Sequence, residues 1–188
     1  MKQILVLLGA FGYLTVNAQE AQVEKSFFGV QTGPGIWAHN ECRIGKKVSL
    51  RSEIGVKGMF WQGFDIDEGT KDGILFAPVL ALEPRYYYNL GKRSAKQKNI
   101  SKNSGNFISL KTSYQPDWFV ISNEDLDIVS TISIAPTWGI RRNIGTSRFN
   151  YEAGFGIGYR YIFYKADGYP ENGSDAILNI HLRIGYTF

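Results

Sequence analysis

Two histidines are the residues of this chain best suited to proton transfer at neutral pH. His39 lies in the segment WAHNE and His181 in NIHLR. A hydrolase that removes acyl chains from lipids would need such a histidine near a serine and an acid. His181 is followed by Leu182 and Arg183, so a local His-x-Ser pattern is absent. We therefore interpret both histidines as hydrogen-bonded interior side chains and predict no catalytic residue.

A short acidic segment holds Asp65, Asp67, Glu68 and Asp72. Carboxylate oxygens are natural ligands of Ca²⁺ and Mg²⁺, but the spacing of an EF-hand loop with its final glutamate does not fit here. Cys42 is the only cysteine, which excludes an intramolecular disulfide, and no His/Cys cluster has zinc spacing. The sequence predicts neither a resident metal nor a cofactor.

A glycine-rich run, FNYEAGFGIGYRYIFY, occupies residues 149–164. Its glycines follow a Gly-x-Gly-x-Gly spacing, whereas a dinucleotide-binding loop needs G-x-G-x-x-G at the start of a helix. Aromatic and aliphatic residues fill almost every odd position, and glycine, Glu152 and Arg160 fill even ones. Because successive side chains of a strand point to opposite faces, this run predicts one long strand with two different faces.

The first 18 residues have the pattern of a cleaved export signal. A lysine at position 2 precedes an apolar run over 4–13, and VNA at 16–18 resembles a small-residue cleavage site. The apolar run is shorter than the ~20 residues that a membrane-spanning helix needs. We predict a signal peptide over 1–18 and a single exported domain over 19–188.

Alternation and turn signals predict an all-β fold with eight strands. Aromatic residues form 14% of the chain and 21 residues are glycine, a composition that suits strands. The segment Gly33-Pro34-Gly35 divides the first apolar run into two strands because proline and glycine interrupt strands. The predicted strands are 26–33, 36–44, 48–62, 74–88, 106–118, 128–140, 149–163 and 176–188.

The two faces of these strands differ in charge. One face has 54 positions and none is Asp, Glu, Lys or Arg, whereas the opposite face has 47 positions and 12 such residues. A soluble sandwich or lipocalin-like barrel would bury the apolar face. A membrane barrel would turn that face to lipid, and its aromatics near strand ends and its long strands favour this reading. The interior would then hold a charge network: Arg51, Glu53, Glu83, Arg85, Glu152, Arg160 and Arg183.

The C-terminal segment HLRIGYTF resembles the signal by which the assembly machinery engages outer-membrane barrels of Gram-negative bacteria, with Tyr186 and Phe188 as its residues. The segments LEPRYYYNLGKR, TWGIRRNIG and NYEAGFGIGYRYIF resemble a recurring outer-membrane β-barrel domain. The whole exported chain is similar to small barrels of the OmpX, OmpW and OmpA-transmembrane type. This resemblance implies an eight-stranded antiparallel up-and-down transmembrane β-barrel in the outer membrane.

The same resemblance implies the partners: outer-membrane lipid, lipopolysaccharide and the barrel-assembly machinery, with no nucleic acid and a monomeric state. Turns at 45–47, 89–105 and 141–148 would face the periplasm, and loops at 63–73, 119–127 and 164–175 would face outward. Asp65, Asp67, Glu68 and Asp72 would then be candidates for sharing divalent cations with lipopolysaccharide phosphates.

A barrel of eight strands has an interior just wide enough for side chains to fill. We expect its charges to pair, and strand order makes Glu53 with Arg85, Arg51 with Glu83 and Glu152 with Arg183 plausible partners. A closed, charge-filled interior indicates a structural or surface-contact component of the envelope and no enzyme. A narrow channel for small or apolar solutes is the alternative, and a lipid-modifying enzyme is the third reading.

Overall fold

The computed structural model describes residues 21–65, 69–123 and 126–188, apart from the side chains of 60–65 and 69–72. The predicted signal peptide lies outside this part of the chain. The described elements are β1 (Ser26–Gly33), β2 (Gly35–Gly45), β3 (Val48–Asp65), β4 (Gly69–Tyr87), α1 (Leu90–Ala95), β5 (Asn106–Gln115), β6 (Ile121–Ser122), β7 (Thr131–Asn143), β8 (Phe149–Ile162) and β9 (Gly173–Thr187), with 3₁₀ turns at Ser101–Asn103 and Tyr164–Asp167.

The strands form one antiparallel sheet that closes on itself. β1 pairs with both β2 and β9, β3 pairs with β4, and the two-residue strand β6 pairs only with the far end of β4. Following paired residues once round the eight long strands leads from Tyr186 to Ser174, a stagger of twelve residues along β9. With about 3.3 Å per residue and about 4.8 Å between strands, the strands are tilted by about 45° to the ring axis.

The charged face of the strands points into the ring and the apolar face points out. Arg51, Arg85 and Glu152 are at most 1% exposed, whereas Leu178 and Leu182 are 66% and 67% exposed. This arrangement is the inverse of a soluble sandwich, whose apolar face would be buried. The faces follow directly from the two-residue period of each strand.

One end of the ring is covered by the connection between β4 and β5. Leu90 of α1 packs with Val23, Tyr87 and Phe107 in a small apolar cluster. Asn103 reaches inward from its 3₁₀ turn, and its Oδ1 accepts a hydrogen bond from the Glu24 amide at 2.8 Å. The connection predicted as a long turn at 89–105 is thus a folded cover. We call this end of the ring the covered end.

Several predicted boundaries are wrong. The described residues form nine strands, because Ile121–Ser122 in the predicted loop 119–127 forms β6. The predicted loop 63–73 is mostly strand, since β3 continues to Asp65 and β4 starts at Gly69. The predicted turn 141–148 is shorter because β7 extends to Asn143. Hydrogen bonding between neighbouring strands extends β3, β4 and β7 beyond the point where the alternation of apolar and polar residues weakens.

The first hairpin is shorter than its neighbours. Its turn at Pro34 is confirmed as the break between two strands, and Gly35 has a φ of 142°, a conformation that favours glycine. β2 pairs with β3 only as far as Lys57, and β1 pairs with β9 only as far as Ile184. Beyond these points, residues 59–65 of β3 and 173–183 of β9 have no described strand between them. We call this gap in the wall the side opening.

Candidate functional site

Glu152 is the centre of a buried charge network. Its carboxylate accepts hydrogen bonds from Arg51 Nη1 at 3.1 Å and from Arg85 at 2.8 and 2.9 Å. Arg141 Nη1 lies 3.5 Å from the same carboxylate and His181 Nε2 lies 3.4 Å from it. β8 places Glu152 on the inner face, and the other four side chains reach it from different strands. One carboxylate therefore ties together residues from most of the ring.

Two further glutamates extend the network on either side. Glu53 Oε1 accepts hydrogen bonds from Arg51 Nε at 2.6 Å and from Arg183 Nη1 at 2.8 Å. Glu83 accepts from Arg85 Nη2 at 2.7 Å and from the Ser109 hydroxyl at 2.5 Å. The guanidinium groups of Arg51 and Arg85 each hydrogen-bond to two carboxylates, which suits their planar set of donors. Charges buried in such a space are stable only when they are paired in this way.

Glu41 and Arg141 belong to the network, although sequence reasoning missed both. Both are fully buried, and Arg141 Nη1 lies 3.7 Å from Glu41 Oε2. Glu41 Oε1 accepts hydrogen bonds from Ser49 Oγ, Tyr87 Oη and Asn103 Nδ2 at 2.7, 2.9 and 2.6 Å, respectively. Arg141 had been assigned to a turn because the predicted strand ended at residue 140. Glu41 lies on the polar face of its predicted strand, and this position is the signal that could have identified it.

The ion pairs suggested by strand order are not formed. The register does place Arg51 opposite Glu83 and Glu152 opposite Arg183 on neighbouring strands. Instead, Arg51 bonds with Glu53 two residues along its own strand and with Glu152 from across the ring. The long arginine side chains reach past their direct neighbours because residues i and i+2 share the inner face and the ring is narrow.

Arg160 is separate from the central network. It makes a two-point contact with Asp175, in which Arg160 Nε donates to Asp175 Oδ1 at 2.9 Å. Both side chains are over one third exposed, near the end of the ring opposite the covered end. Asp175, which had been assigned to a loop, lies on β9 opposite Arg160. The prediction that Arg160 joins the interior network is therefore wrong.

The interior glycines make room for aromatic and imidazole rings on the neighbouring strand. A Cβ on Gly29 would lie 2.6 Å from His39 Cε1, and one on Gly154 would collide with the His181 ring. Gly29 pairs with His39, and Gly154 pairs with His181. No described protein atom hydrogen-bonds to a ring nitrogen of either histidine, so the expected hydrogen bonds are not made. Each ring packs over a glycine, and His181 Nε2 also lies 3.4 Å from Glu152 Oε1.

The half of the interior away from the covered end contains a cavity of about 330 Å³. The described charged residues that line it are four bases and one acid, which are Lys57, Lys111, Arg160, Arg183 and Glu53. The interior is therefore filled by side chains over only part of its length. Arg51, Glu83, Arg85 and Glu152 do not line this cavity, and they lie between it and the covered end.

The remaining candidate residues lie at the two ends of the ring. Tyr186 stacks edge-on with Phe149 and Phe188, with ring centroids 5.2 Å apart in both pairs, near the covered end. The backbones of Asp65 and Asp72 lie in β3 and β4 at the other end. Their side chains, and Asp67 and Glu68 as a whole, lie outside the described part of the chain.

Comparisons with known proteins give no relative. No family model, no curated protein and no solved structure matches the chain at a significant level. Among the described residues, no helix has the length and apolar character needed to cross a membrane. The same residues contain no group of three or more histidine, cysteine, aspartate or glutamate side chains placed to hold a metal ion.

Proposed function

We propose that this chain is an integral outer-membrane β-barrel protein that serves as a structural or surface-contact component of the cell envelope. The observation that carries the proposal is the inverted distribution of burial. Large aliphatic side chains such as Leu178, Ile180 and Leu182 are at least 65% exposed, and arginines and glutamates fill the inside. A soluble protein rarely exposes a continuous apolar surface of this kind. Such a surface is suited to contact with lipid.

The dimensions of the ring support the same proposal. The eight long strands have 8 to 19 residues, and a strand tilted by about 45° crosses the apolar part of a bilayer with ~9–11 residues. β1, with 8 residues, is shorter than this crossing length. Aromatic pairs lie towards both ends: Phe149 with Tyr186 near the covered end, and Tyr161 with Phe163 at the other. Membrane barrels carry aromatic belts at both interfaces.

A structural role is favoured over transport through the ring. The Glu/Arg network and the connection between β4 and β5 fill the ring near the covered end. There Arg85 Cζ lies 4.2 Å from the centre of the Phe107 ring, and Arg141 Cζ lies 4.9 Å from the centre of the Phe27 ring. A pore would need a continuous polar passage. Neither histidine has a serine hydroxyl as a hydrogen-bond partner, which gives an acyl-transfer enzyme no support.

Reconstitution of the chain tests the proposal. The purified protein should insert into phospholipid vesicles and leave most of its mass protected from added protease. In planar bilayers the same preparation should produce no steady conductance. A chain that stays soluble, monomeric and folded without detergent or lipid would contradict the membrane assignment. Resolved single-channel openings by the wild-type protein would instead favour a narrow pore.

A further inference from the structure

The cavity has more positive charge than its carboxylates balance. Glu53 is its one described acid, and it is already engaged by Arg51, Arg183 and Lys111, with Lys111 Nζ 3.4 Å from its Oε2. Lys57 lies at an exposed position on the edge of the cavity and forms no ion pair with a described carboxylate. Arg160, another base of the lining, is paired with Asp175. Four bases around one shared carboxylate make the cavity suited to an anionic group, to which Lys57 can donate from the edge.

The cavity also reaches the side opening. Its lining includes Pro34, at the tip of the short first hairpin, and Asn179, which points inward from β9. It also includes Leu178 and Ile180, whose side chains point outward and are 66% and 65% exposed. These residues belong to a continuous run, 177–181, on the stretch of β9 that has no described strand paired on its β1 side. The cavity therefore lies beside the side opening.

We propose that this cavity binds the head of a single-chain anionic amphiphile, a carboxylate or phosphate, while its apolar chain leaves through the side opening. Lys57 and Lys111 bind the head. Ile177, Leu178 and Ile180 contact the chain. The volume of about 330 Å³ is within the usual range of ligand pockets, which begins at roughly 300 Å³. The route of the chain into lipid rests on the proposed membrane location.

Binding of radiolabelled decanoate to protein in phosphatidylcholine nanodiscs tests the proposal. Only protein that co-elutes with nanodiscs is used, so failure to insert, which would contradict the proposed function, is separated from failure to bind. Decanoate should bind above the level of empty nanodiscs. Unlabelled decanol and acetate, which lack the charge and the chain respectively, should compete at least about tenfold more weakly because each supplies only one of the two interactions.

Variants assign the site. Lys57→Gln removes a charge without breaking an ion pair among the described residues and should weaken decanoate binding by about tenfold. Lys92→Gln, on the exposed side of α1 at the covered end, is the matched control and should leave binding unchanged. Equal binding by wild type and Lys57→Gln, or equal competition by acetate, would overturn the proposal.

The path of the chain has a separate readout. Decanoate carrying a photoreactive group at its chain end should label β9 near Leu178 and Ile180, as mapped by mass spectrometry. Labelling confined to the connection between β5 and β7 would place the chain at the axial mouth and overturn the proposed route. In nanodiscs that contain anionic phosphatidylglycerol, retained decanoate binding would support a single-chain amphiphile, and loss of decanoate binding would show that a two-chain bilayer lipid takes the cavity and would overturn the single-chain assignment.

Discussion

Arg51 Nη1 donates a hydrogen bond to Glu152 Oε2 at 3.1 Å, although the two residues are 101 positions apart in the sequence. β3 and β8, which carry them, are not neighbours in the sheet. The bond therefore crosses the inside of the ring and links opposite walls. Because both side chains are fully buried, its strength depends on every other partner that balances these charges.

Glu152→Ala is expected to destabilise the protein by about 3–5 kcal/mol, because it leaves Arg51 and Arg85 buried without their shared carboxylate. Unfolding by urea in detergent micelles measures the change. Asp175→Ala is the matched control. It removes the partner of Arg160 where both side chains are over one third exposed, so the loss should be below about 1 kcal/mol. Equal losses in the two variants would contradict a central role for Glu152.

Ile157→Arg tests whether the outer face contacts lipid. Ile157 is 60% exposed and lies in the middle of β8. An arginine near the centre of a bilayer costs ~2–4 kcal/mol in a membrane barrel. The free energy of unfolding in vesicles should fall by this amount. Tyr169→Arg, at an exposed site in the connection between β8 and β9, should change it little. If Ile157→Arg is as stable as wild type in vesicles, the lipid-facing assignment fails.

Cysteine labelling tests which end of the ring faces outward. In a Cys42→Ser background, a cysteine at Asp167 should react with a membrane-impermeant thiol reagent on intact cells. One at Lys98, beside the cover at the other end, should react only after the cells are lysed. Both positions are exposed, so access to the reagent decides the outcome. The reverse pattern would invert the proposed topology.

Gly154→Ala tests the packing of interior glycines. The added methyl group would collide with the His181 ring, which lies 3.4 Å from Glu152, so we expect a loss of about 1–3 kcal/mol. Much of this loss should disappear in a His181→Ala background. Gly91→Ala, in α1 with no atom within 4 Å of the added Cβ, should be neutral or slightly stabilising. Additive effects at 154 and 181 in chemical denaturation would contradict the proposed contact.

Neutralising the acidic segment tests its role at the surface. Replacement of Asp65, Asp67 and Asp72 by Asn and of Glu68 by Gln should sensitise cells to chelators if these carboxylates share divalent cations with lipopolysaccharide phosphates. Growth in a chelator series measures the effect. The matched change in the connection between β8 and β9, Asp167→Asn with Glu171→Gln, controls for general loss of surface charge. Unchanged sensitivity would leave the acids a role in solubility alone.

Alternation by itself determined which residues share a face. That Glu53, Arg85 and Arg183 lie on the face opposite the apolar one follows from strand parity, since the period of a strand is two whatever its neighbours are. That this face points inward is decided by the closure of the sheet. The break at Pro34 could also be read directly, because proline and glycine act locally. Strand ends were less predictable. β3 extends to Asp65 and β7 to Asn143 because each pairs with a neighbouring strand over its full length. The local residue pattern does not contain this pairing.

Only the tertiary structure decided which charges meet. The twelve-residue stagger accumulates from eight separate registers, one of which pairs β1 with β9 from opposite ends of the described chain. It brings Arg51 to Glu152 and leaves Arg160 with Asp175. The first hairpin, which ends at Pro34, therefore ends part-way up the wall, and no described carboxylate pairs with Lys57 beyond the network. The cavity and the side opening depend on where neighbouring strands end relative to one another. The residue pattern of a single strand does not contain that information.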